Sequence, residues 1–199
     1  MQHVLDFDWA VFQFVEKYLW GPFLDILMPF ITRLGDGGII WIVLAVLLLF
    51  FKKYRKFGIM MVAALLLSLL INDNILKPLI NRPRPFNPEA WKTLERAFIY
   101  PELVPRPHGL SFPSGHTSSS FAAAVVLIFT GKKRIYIPPL ILAFLIAFSR
   151  IYVHVHYCTD VLAGMVVGTL YGLLAYLLIA KLLPLIQEKI RVKREKETF

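Results

Sequence analysis

An uncharged stretch of twenty residues, 161–180, constrains this chain more than any other part of its sequence. It reads VLAGMVVGTLYGLLAYLLIA and is bounded by Asp160 and Lys181. About 20 predominantly apolar residues are the length that a helix needs to cross the hydrocarbon core of a bilayer. Inside that core every backbone polar group must find its partner within the protein, which a helix provides. The stretch therefore predicts a membrane-spanning helix.

Other uncharged runs repeat this pattern along the chain. They lie at residues 37–51, 57–72 and 135–149, and another begins at Ser114 with small residues and ends apolar. Residues 9–34 are interrupted by charged, glycine and proline residues, which is typical of an amphipathic interfacial helix that leads into a first span. Whether this segment crosses fully stays open. We predict an all-α integral membrane bundle of about six transmembrane helices, folded as a single domain over residues 1–199.

The composition agrees with a membrane protein and disfavours other classes. Hydrophobic residues make up 57% of the chain and charged residues 18%, against about 45–50% and about 25% in soluble domains. The single cysteine, Cys158, excludes a disulfide within the chain. The net charge of +9 would suit nucleic acid, but the basic residues lie in short segments between apolar runs. We therefore expect no nucleic-acid partner.

Clusters of basic residues orient the bundle. They are KKYRK at 52–56, GKKR at 131–134 and the tail at 181–199, and they share one face if the spans alternate. Short basic loops mark the cytoplasmic face, and we expect the tail to lie there near anionic lipid headgroups. The long connection at 77–115 then falls on the opposite face. We predict a multi-pass protein of the cell membrane whose polar motifs face outside the cytoplasm.

We expect three polar segments to meet on that outer face. They are KPLINRPRP at 77–85, FPSGH at 112–116 and SRIYVHVHYCTD at 149–160. Prolines stiffen the first segment, which can hold Lys77 and Arg84 in fixed positions. In the second, Ser114 predicts the cap of a helix whose free N–H groups favour a phosphate, Gly115 lets the anion approach, and His116 follows beside it. Both segments are suited to an anionic ligand.

The third segment supplies a histidine and a carboxylate one helical turn apart. His156 and Asp160 share a face of the predicted helix, so the carboxylate can fix the tautomer of the ring. Arg150 offers a fork of donors suited to phosphate oxygens. His154 and His156 point about 200° apart in a helix, and no further metal-ligand motif is present. We therefore predict no metal site and a structural role for His154. The combined groups suit phosphoryl transfer through a covalent histidine intermediate.

These three segments resemble the signature motifs of the type 2 phosphatidic acid phosphatase family, KxxxxxxRP, PSGH and SRxxxxxHxxxD. All defined positions are present, in order and at the family's spacing. The resemblance implies that His156 is the nucleophile, that Asp160 orients it, and that His116 is the general acid. It also implies a set of residues that bind the phosphoryl oxygens: Lys77, Arg84, Ser114, Gly115 and Arg150. No metal or other cofactor is implied.

Within that family, a small and mostly transmembrane protein is similar to the bacterial lipid phosphatases. The substrate expected from this resemblance is undecaprenyl pyrophosphate or phosphatidylglycerophosphate. The loop at 86–112 is expected to read the headgroup, with Trp91 at the membrane interface and Arg82 as a candidate headgroup contact. The alternatives are a membrane transporter or a lipid phosphotransferase that uses the same polar cluster. The sequence leaves the oligomeric state open.

Overall fold

The computed structural model describes residues 2–91, 98, 100–182, 184–185 and 188, and within these residues the chain is helical with no strand. The α-helices of the described chain are α1 (Gln2–Tyr18), α2 (Pro22–Leu34), α3 (Ile39–Phe50), α4 (Arg55–Ile71), α5 (Lys77–Ile80), α6 (Gly115–Ile128), α7 (Lys133–Tyr152) and α8 (Cys158–Tyr176). A π-helical turn, Asn72–Leu76, joins α4 to α5, and a second one, Leu177–Leu182, extends α8. The predicted all-α fold is confirmed.

Three helices of the described chain are long and apolar enough to cross a membrane. They are Arg55–Ile80, Lys133–Tyr152 and Cys158–Lys181. A fourth candidate is the pair Pro22–Leu34 and Asp36–Phe50, whose two halves are bent by 45°. Helix α6 is apolar but only 14 residues long. The predicted number of about six is therefore reached only if α6 and α1 are counted as spans as well.

The N-terminal segment forms two helices where the sequence predicted one. Helix α1 ends at Tyr18, and α2 begins at Pro22, whose missing N–H and fixed φ suit the first position of a helix. The buried residues of α1 are Asp8, Phe12 and Val15, which follow one another at helical spacing along one face. Helix α1 thus buries one face, and its buried stripe includes a carboxylate.

Helix α6 lies at the centre of the bundle, between α4, α7 and α8. Small residues allow α8 to approach it closely, because Gly164, Gly168 and Gly172 face the α6 backbone at intervals of one turn. A Cβ added to Gly168 would clash with the Ser118 carbonyl oxygen, which would lie only 2.4 Å away. Small residues serve the same purpose at many helix contacts within membranes. The close approach fixes the start of α8 against the start of α6.

Polar side chains inside the bundle bind one another. The indole N–H of Trp41 donates to Ser120 Oγ at 2.9 Å. The Tyr171 hydroxyl donates to Asn72 Oδ1 at 3.0 Å, and the Asn72 amide in turn donates to Ser118 Oγ. These bonds tie α3 and the turn after α4 to α6, and α8 to that turn. They satisfy polar groups that would be costly to bury alone.

The two basic loops lie together at one end of the bundle. Lys132 Nζ, which follows α6, is 3.4 Å from the Tyr54 hydroxyl, which precedes α4. The three polar segments lie at the other end of the bundle. The first begins with α5, the second leads into α6, and the third joins α7 to α8. Most of the predicted basic tail at 181–199 lies outside the described residues.

Candidate active site

The predicted site residues converge where α6 and α8 begin and α7 ends. The backbone N–H of Ser114 donates to the Asp160 carbonyl at 3.1 Å, which joins the second polar segment to the third. Arg84, from the first segment, is 3.2 Å from His156 Nε2. Lys77 lines the same cavity as His116, and its ammonium forms an ion pair with Asp73 one turn earlier. The structure thus brings all three segments to one place.

The imidazole of His156 is buried and has a different partner on each nitrogen. Its Nδ1 lies 3.4 Å from Asp160 Oδ2, and Arg84 Nη1 lies 3.2 Å from its Nε2. A carboxylate only accepts and a guanidinium only donates, so Nδ1 carries the proton and Nε2 presents its lone pair. Burial, together with the positive charges of Arg84 and Arg150, holds the pKa of His156 well below its usual value. The ring is therefore neutral at physiological pH.

The carboxylate of Asp160 is fixed by its position in the first turn of α8. Its Oδ2 accepts the backbone N–H of Tyr157 at 3.2 Å, which completes the N-terminal cap of that helix. Its Oδ1 accepts from Arg82 at 2.7 Å. Asp160 is fully buried, so these bonds leave it little freedom to move. The orientation of His156 therefore follows from the way α8 starts.

Arg84 is held rigidly by backbone carbonyls. Its Nε donates to Gly109 O at 3.0 Å, its Nη2 to His108 O at 3.1 Å, and its Nη1 to Val155 O at 3.0 Å. Burial lowers the pKa of Arg84 to about 10, partly offset by Asp160, so the guanidinium stays charged at neutral pH. Its charge is thus fixed beside Nε2 of His156.

Arg150 places a second guanidinium in the last turn of α7. Only 4% of its surface is exposed, and its Nη1 donates to Thr32 Oγ1 of α2. Its Nε is buried without a hydrogen-bond partner among the described residues. A buried donor left unpaired costs free energy, and an anion bound in the site would satisfy it. The geometry of Arg150 therefore suits a phosphate ligand.

The start of α6 has the predicted form. Ser114 is the N-cap, and its hydroxyl accepts from the Thr117 backbone N–H at 3.4 Å and from Thr117 Oγ1 at 3.0 Å. A Cβ added to Gly115 would meet no atom within 4 Å, so open space lies beside the first turn. His116 follows, and its Nε2 is 2.8 Å from Asp36 Oδ1. The Ser114 hydroxyl thus accepts both bonds of the cap, and its predicted contact with a phosphate through its own proton stays a prediction.

A cavity of about 410 Å³ extends from this end of the bundle. Lys77, Gly115 and His116 lie at its polar end. Along its length it is lined by apolar side chains of α3 and α4: Ile42, Val62, Leu65, Leu66 and Leu69. Several of these side chains are exposed on the outside of the bundle, among them Leu66 and Leu69. The cavity therefore joins a polar end, where Lys77 pairs with Asp73, to the apolar surface that faces the membrane.

Arg82, the candidate headgroup contact, binds two carboxylates within the protein. Its Nη1 is 2.7 Å from Asp160 Oδ1 and its Nη2 is 2.7 Å from Asp8 Oδ2. Its guanidinium lies 3.7 Å from the centre of the Tyr157 ring. Asp8 also accepts the Thr159 backbone N–H at 2.9 Å. Arg82 and Asp8 thus link α1 to the carboxylate that orients His156, and sequence reasoning missed both roles.

His154 and Trp91 lie in an aromatic cluster outside the site. The His154 ring centre is 4.5 Å from that of Phe12 and 5.0 Å from that of Trp20. Trp91, which the sequence placed at the interface, is buried and donates to Pro85 O at 2.7 Å. Within the described part of the chain, no three His, Cys, Asp or Glu side chains come together as a metal site would need. Residues 92–97 and 99 of the expected headgroup loop lie outside the described residues.

Comparison with known proteins assigns the family. A family model described as PAP2 superfamily matches residues 53–184, which is more than half of the chain and contains all three polar segments. The chain belongs to the PAP2 superfamily. This PAP2 chain is 35% identical over 148 residues to an undecaprenyl-diphosphatase of Sulfolobus acidocaldarius. That match covers 73% of this chain and 66% of the relative, just under two thirds of its length.

A second relative and a solved structure agree with this assignment. The undecaprenyl-diphosphatase BcrC of Bacillus subtilis is 32% identical over 173 residues, 85% of this chain and 82% of that one. A transmembrane PAP2 type phosphatidylglycerolphosphate phosphatase from Bacillus subtilis, solved by crystallography, superposes with a TM-score of 0.68 at 27% identity. The superposition covers 88% of this chain and 85% of that structure. These comparisons confirm the predicted family and the prediction of a membrane protein. They also confirm the predicted enzyme class, a hydrolase of lipid phosphates.

Proposed function

We propose that this PAP2 protein removes the terminal phosphate of a membrane lipid through a phosphohistidine formed at Nε2 of His156. The observation that carries the proposal is the unprotonated Nε2 of a buried imidazole beside two buried guanidiniums, Arg84 and Arg150. An unprotonated imidazole nitrogen is a nucleophile once the phosphoryl group takes the place of Arg84 at its lone pair. Fixed cations next to it stabilise the charge that spreads over the phosphoryl oxygens in the transition state.

The reaction would run in two steps. The phosphoryl oxygens bind Arg84, Arg150 and the N–H groups at the start of α6, with Lys77 at the cavity wall. Nε2 of His156 attacks phosphorus as the bond to the leaving oxygen breaks, and His116 gives that oxygen a proton. Water, deprotonated by His116, then attacks the phosphohistidine and releases phosphate. The two guanidiniums supply the positive charge, so we infer that no metal ion is needed.

The cavity supports a lipid as the substrate. One end is polar and holds Lys77 and His116, and the apolar side chains of α3 and α4 along its length suit a hydrocarbon chain. The relatives named undecaprenyl-diphosphatase and phosphatidylglycerolphosphate phosphatase favour two candidates. We infer that the substrate is undecaprenyl pyrophosphate or phosphatidylglycerophosphate, the first being supported by two relatives.

The position of the basic loops supports an orientation for the site. Lys132 and Tyr54 bring the two basic loops together at the end of the bundle away from His156. Basic loops remain in the cytoplasm. We infer that the protein lies in the cell membrane with its site facing outside the cytoplasm.

A labelling experiment tests the reaction. Purified protein in detergent, with excess EDTA, is given each candidate lipid with its terminal phosphate carrying ³²P, and the reaction is quenched in alkali. We expect phosphate release, inhibition by vanadate, and protein-bound label that disappears in His156→Gln. His3→Asn, at an exposed histidine of α1, is the matched control and should keep the label.

Other outcomes of this experiment would change the proposal. Release that requires a divalent metal, or label retained in His156→Gln, would exclude the phosphohistidine mechanism. Transfer of the label to an added alcohol in place of water would identify the lipid phosphotransferase that the sequence left open. Comparison of kcat/KM across the lipids decides between the two substrates.

A further inference from the structure

The short turn between α2 and α3 places a carboxylate on His116. The turn consists of Gly35, Asp36, Gly37 and Gly38. Asp36 Oδ1 lies 2.8 Å from Nε2 of His116, 80 residues later in the chain. A carboxylate only accepts hydrogen bonds, so Nε2 donates its proton to Asp36. The site therefore contains a second histidine–carboxylate pair beside that of His156 and Asp160.

The glycines of this turn let it pack tightly against His116. A Cβ added to Gly35 would lie 2.7 Å from His116 Cδ2 and 2.9 Å from Ile146 Cγ2, so any larger residue would displace the imidazole. Gly37 and Gly38 have φ values of 57° and 68°, in the left-handed region that other residues rarely adopt. The turn thus closes tightly enough for Asp36 to reach the ring, and α3 begins directly after it.

The charge of Asp36 opposes that of its surroundings. Burial of the His116 ring disfavours its protonated form, and the positive charges of Arg150 and Arg84 add to this effect. The proposed first step requires that form, because a neutral imidazole cannot protonate a leaving oxygen and keep its bond to Asp36. A carboxylate at hydrogen-bond distance favours the imidazolium. Arg33 also lies close enough to Asp36 to interact with it, at the end of α2.

We propose that Asp36 is a positioning residue for His116, holding the ring by Nε2 and favouring the imidazolium that protonates the leaving oxygen. With Nε2 bonded to Asp36, the proton given to the leaving oxygen comes from Nδ1. The bond from phosphorus to that oxygen breaks as the bond to His156 forms, and the electron pair left on the oxygen takes the proton. This inference rests on the proposed function. Asp36 lies outside residues 53–184 that the family model matches.

Two substrates with the same tail separate this role from a structural one. Dodecyl phosphate leaves as an alkoxide that needs a proton, whereas its S-dodecyl phosphorothiolate analogue leaves as a thiolate that does not. General acid catalysis contributes typically about 10²–10⁴-fold to a rate. For Asp36→Asn, which keeps the shape and removes the charge, we expect kcat to fall about 10- to 100-fold with the oxygen substrate. The fall with the sulfur substrate should stay under about 3-fold.

Controls keep the two proposals apart. His116→Gln should show the same preference for sulfur, more strongly, and Asp36→Glu should recover part of the loss. Asp25→Asn, at a carboxylate of α2 that accepts from Tyr152, should match the wild type on both substrates. If the wild type hydrolyses neither substrate, the proposed function fails. If the wild type hydrolyses both and Asp36→Asn loses equally on both, or loses nothing, the role of Asp36 is overturned.

Discussion

At the scale of single residues, the protonation of His156 follows from what surrounds it. Asp160 accepts from Nδ1, and Arg84 contacts Nε2. Burial lowers the pKa of His156 most, and the positive charges of Arg84 and Arg150 lower it further. A lowered pKa means that the neutral, nucleophilic form persists as the pH falls through the usual value of about 6.5. The nucleophile should therefore be ready for attack under mildly acidic conditions.

Nitrogen NMR of the detergent-solubilised protein checks this state of the ring. With ¹⁵N-labelled histidine, and with His156→Gln to identify the signals, we expect Nδ1 protonated and Nε2 unprotonated. Their shifts should stay constant between about pH 8 and pH 6, because titration begins only as the pH nears the lowered pKa. A titration midpoint at or above about 6.5, or the opposite tautomer, would contradict the arrangement.

The sequence predicted the local pairs and missed the distant ones. His156 and Asp160 are four residues apart, so helical periodicity was enough to pair them. Asp36 pairs with a histidine 80 positions later, and Asp8 with an arginine 74 positions later. No spacing rule reaches so far. The one available signal for Asp8 was its place on the apolar face of α1, where a charge is costly.

At the scale of helices, the contact of α6 with α8 sets the geometry of the site. Gly164, Gly168 and Gly172 let the two backbones approach, and at their outer ends Ser114 donates to Asp160. The sequence predicted both helices from their apolar runs. The break before Pro22 has a local signal in Gly21 and Pro22, which the prediction of a single helix did not use. The bend between α2 and α3 could not be predicted, because it depends on what these helices pack against.

Enlarging one glycine tests the coupling of these helices. In Gly168→Ala the added Cβ would lie 2.4 Å from the Ser118 carbonyl oxygen, so the helices must separate. Overpacking of this kind costs roughly 1–3 kcal/mol, and we expect a lower thermal unfolding temperature together with reduced kcat. Gly21→Ala is the control, since a Cβ there meets no atom within 4 Å and φ is 174°. An unchanged melting curve for Gly168→Ala would contradict the close contact between α8 and the α6 backbone at Ser118.

At the scale of the whole molecule, basic loops and polar motifs occupy opposite ends of one bundle. Lys132 and Tyr54 mark the first end, and Arg84 and His156 the second. The sequence supported this separation through alternation of the spans and the charge of the loops. Helix α1 contacts α7 and α8 beside the motifs. Asp8 on its buried face therefore lies at the same end of the bundle as the site.

Labelling of single cysteines in intact cells checks the orientation. In a Cys158→Ser background, Arg106→Cys lies near the site and Lys53→Cys in a basic loop, and both side chains are exposed. A membrane-impermeant maleimide should label the first in intact cells and the second only after the membrane is opened. The reverse pattern would place the site in the cytoplasm.

For the proposed lipid substrate, the cavity that leaves the bundle between α3 and α4 also sets the route of entry. Leu66 and Leu69 line it and are exposed on the membrane side, so a lipid can slide in sideways without leaving its leaflet. Encounters then happen in two dimensions. The reaction rate then depends on the mole fraction of the lipid in the bilayer and not on its concentration in the total sample volume. For the proposed reaction, dilution with inert lipid would slow turnover as effectively as an inhibitor.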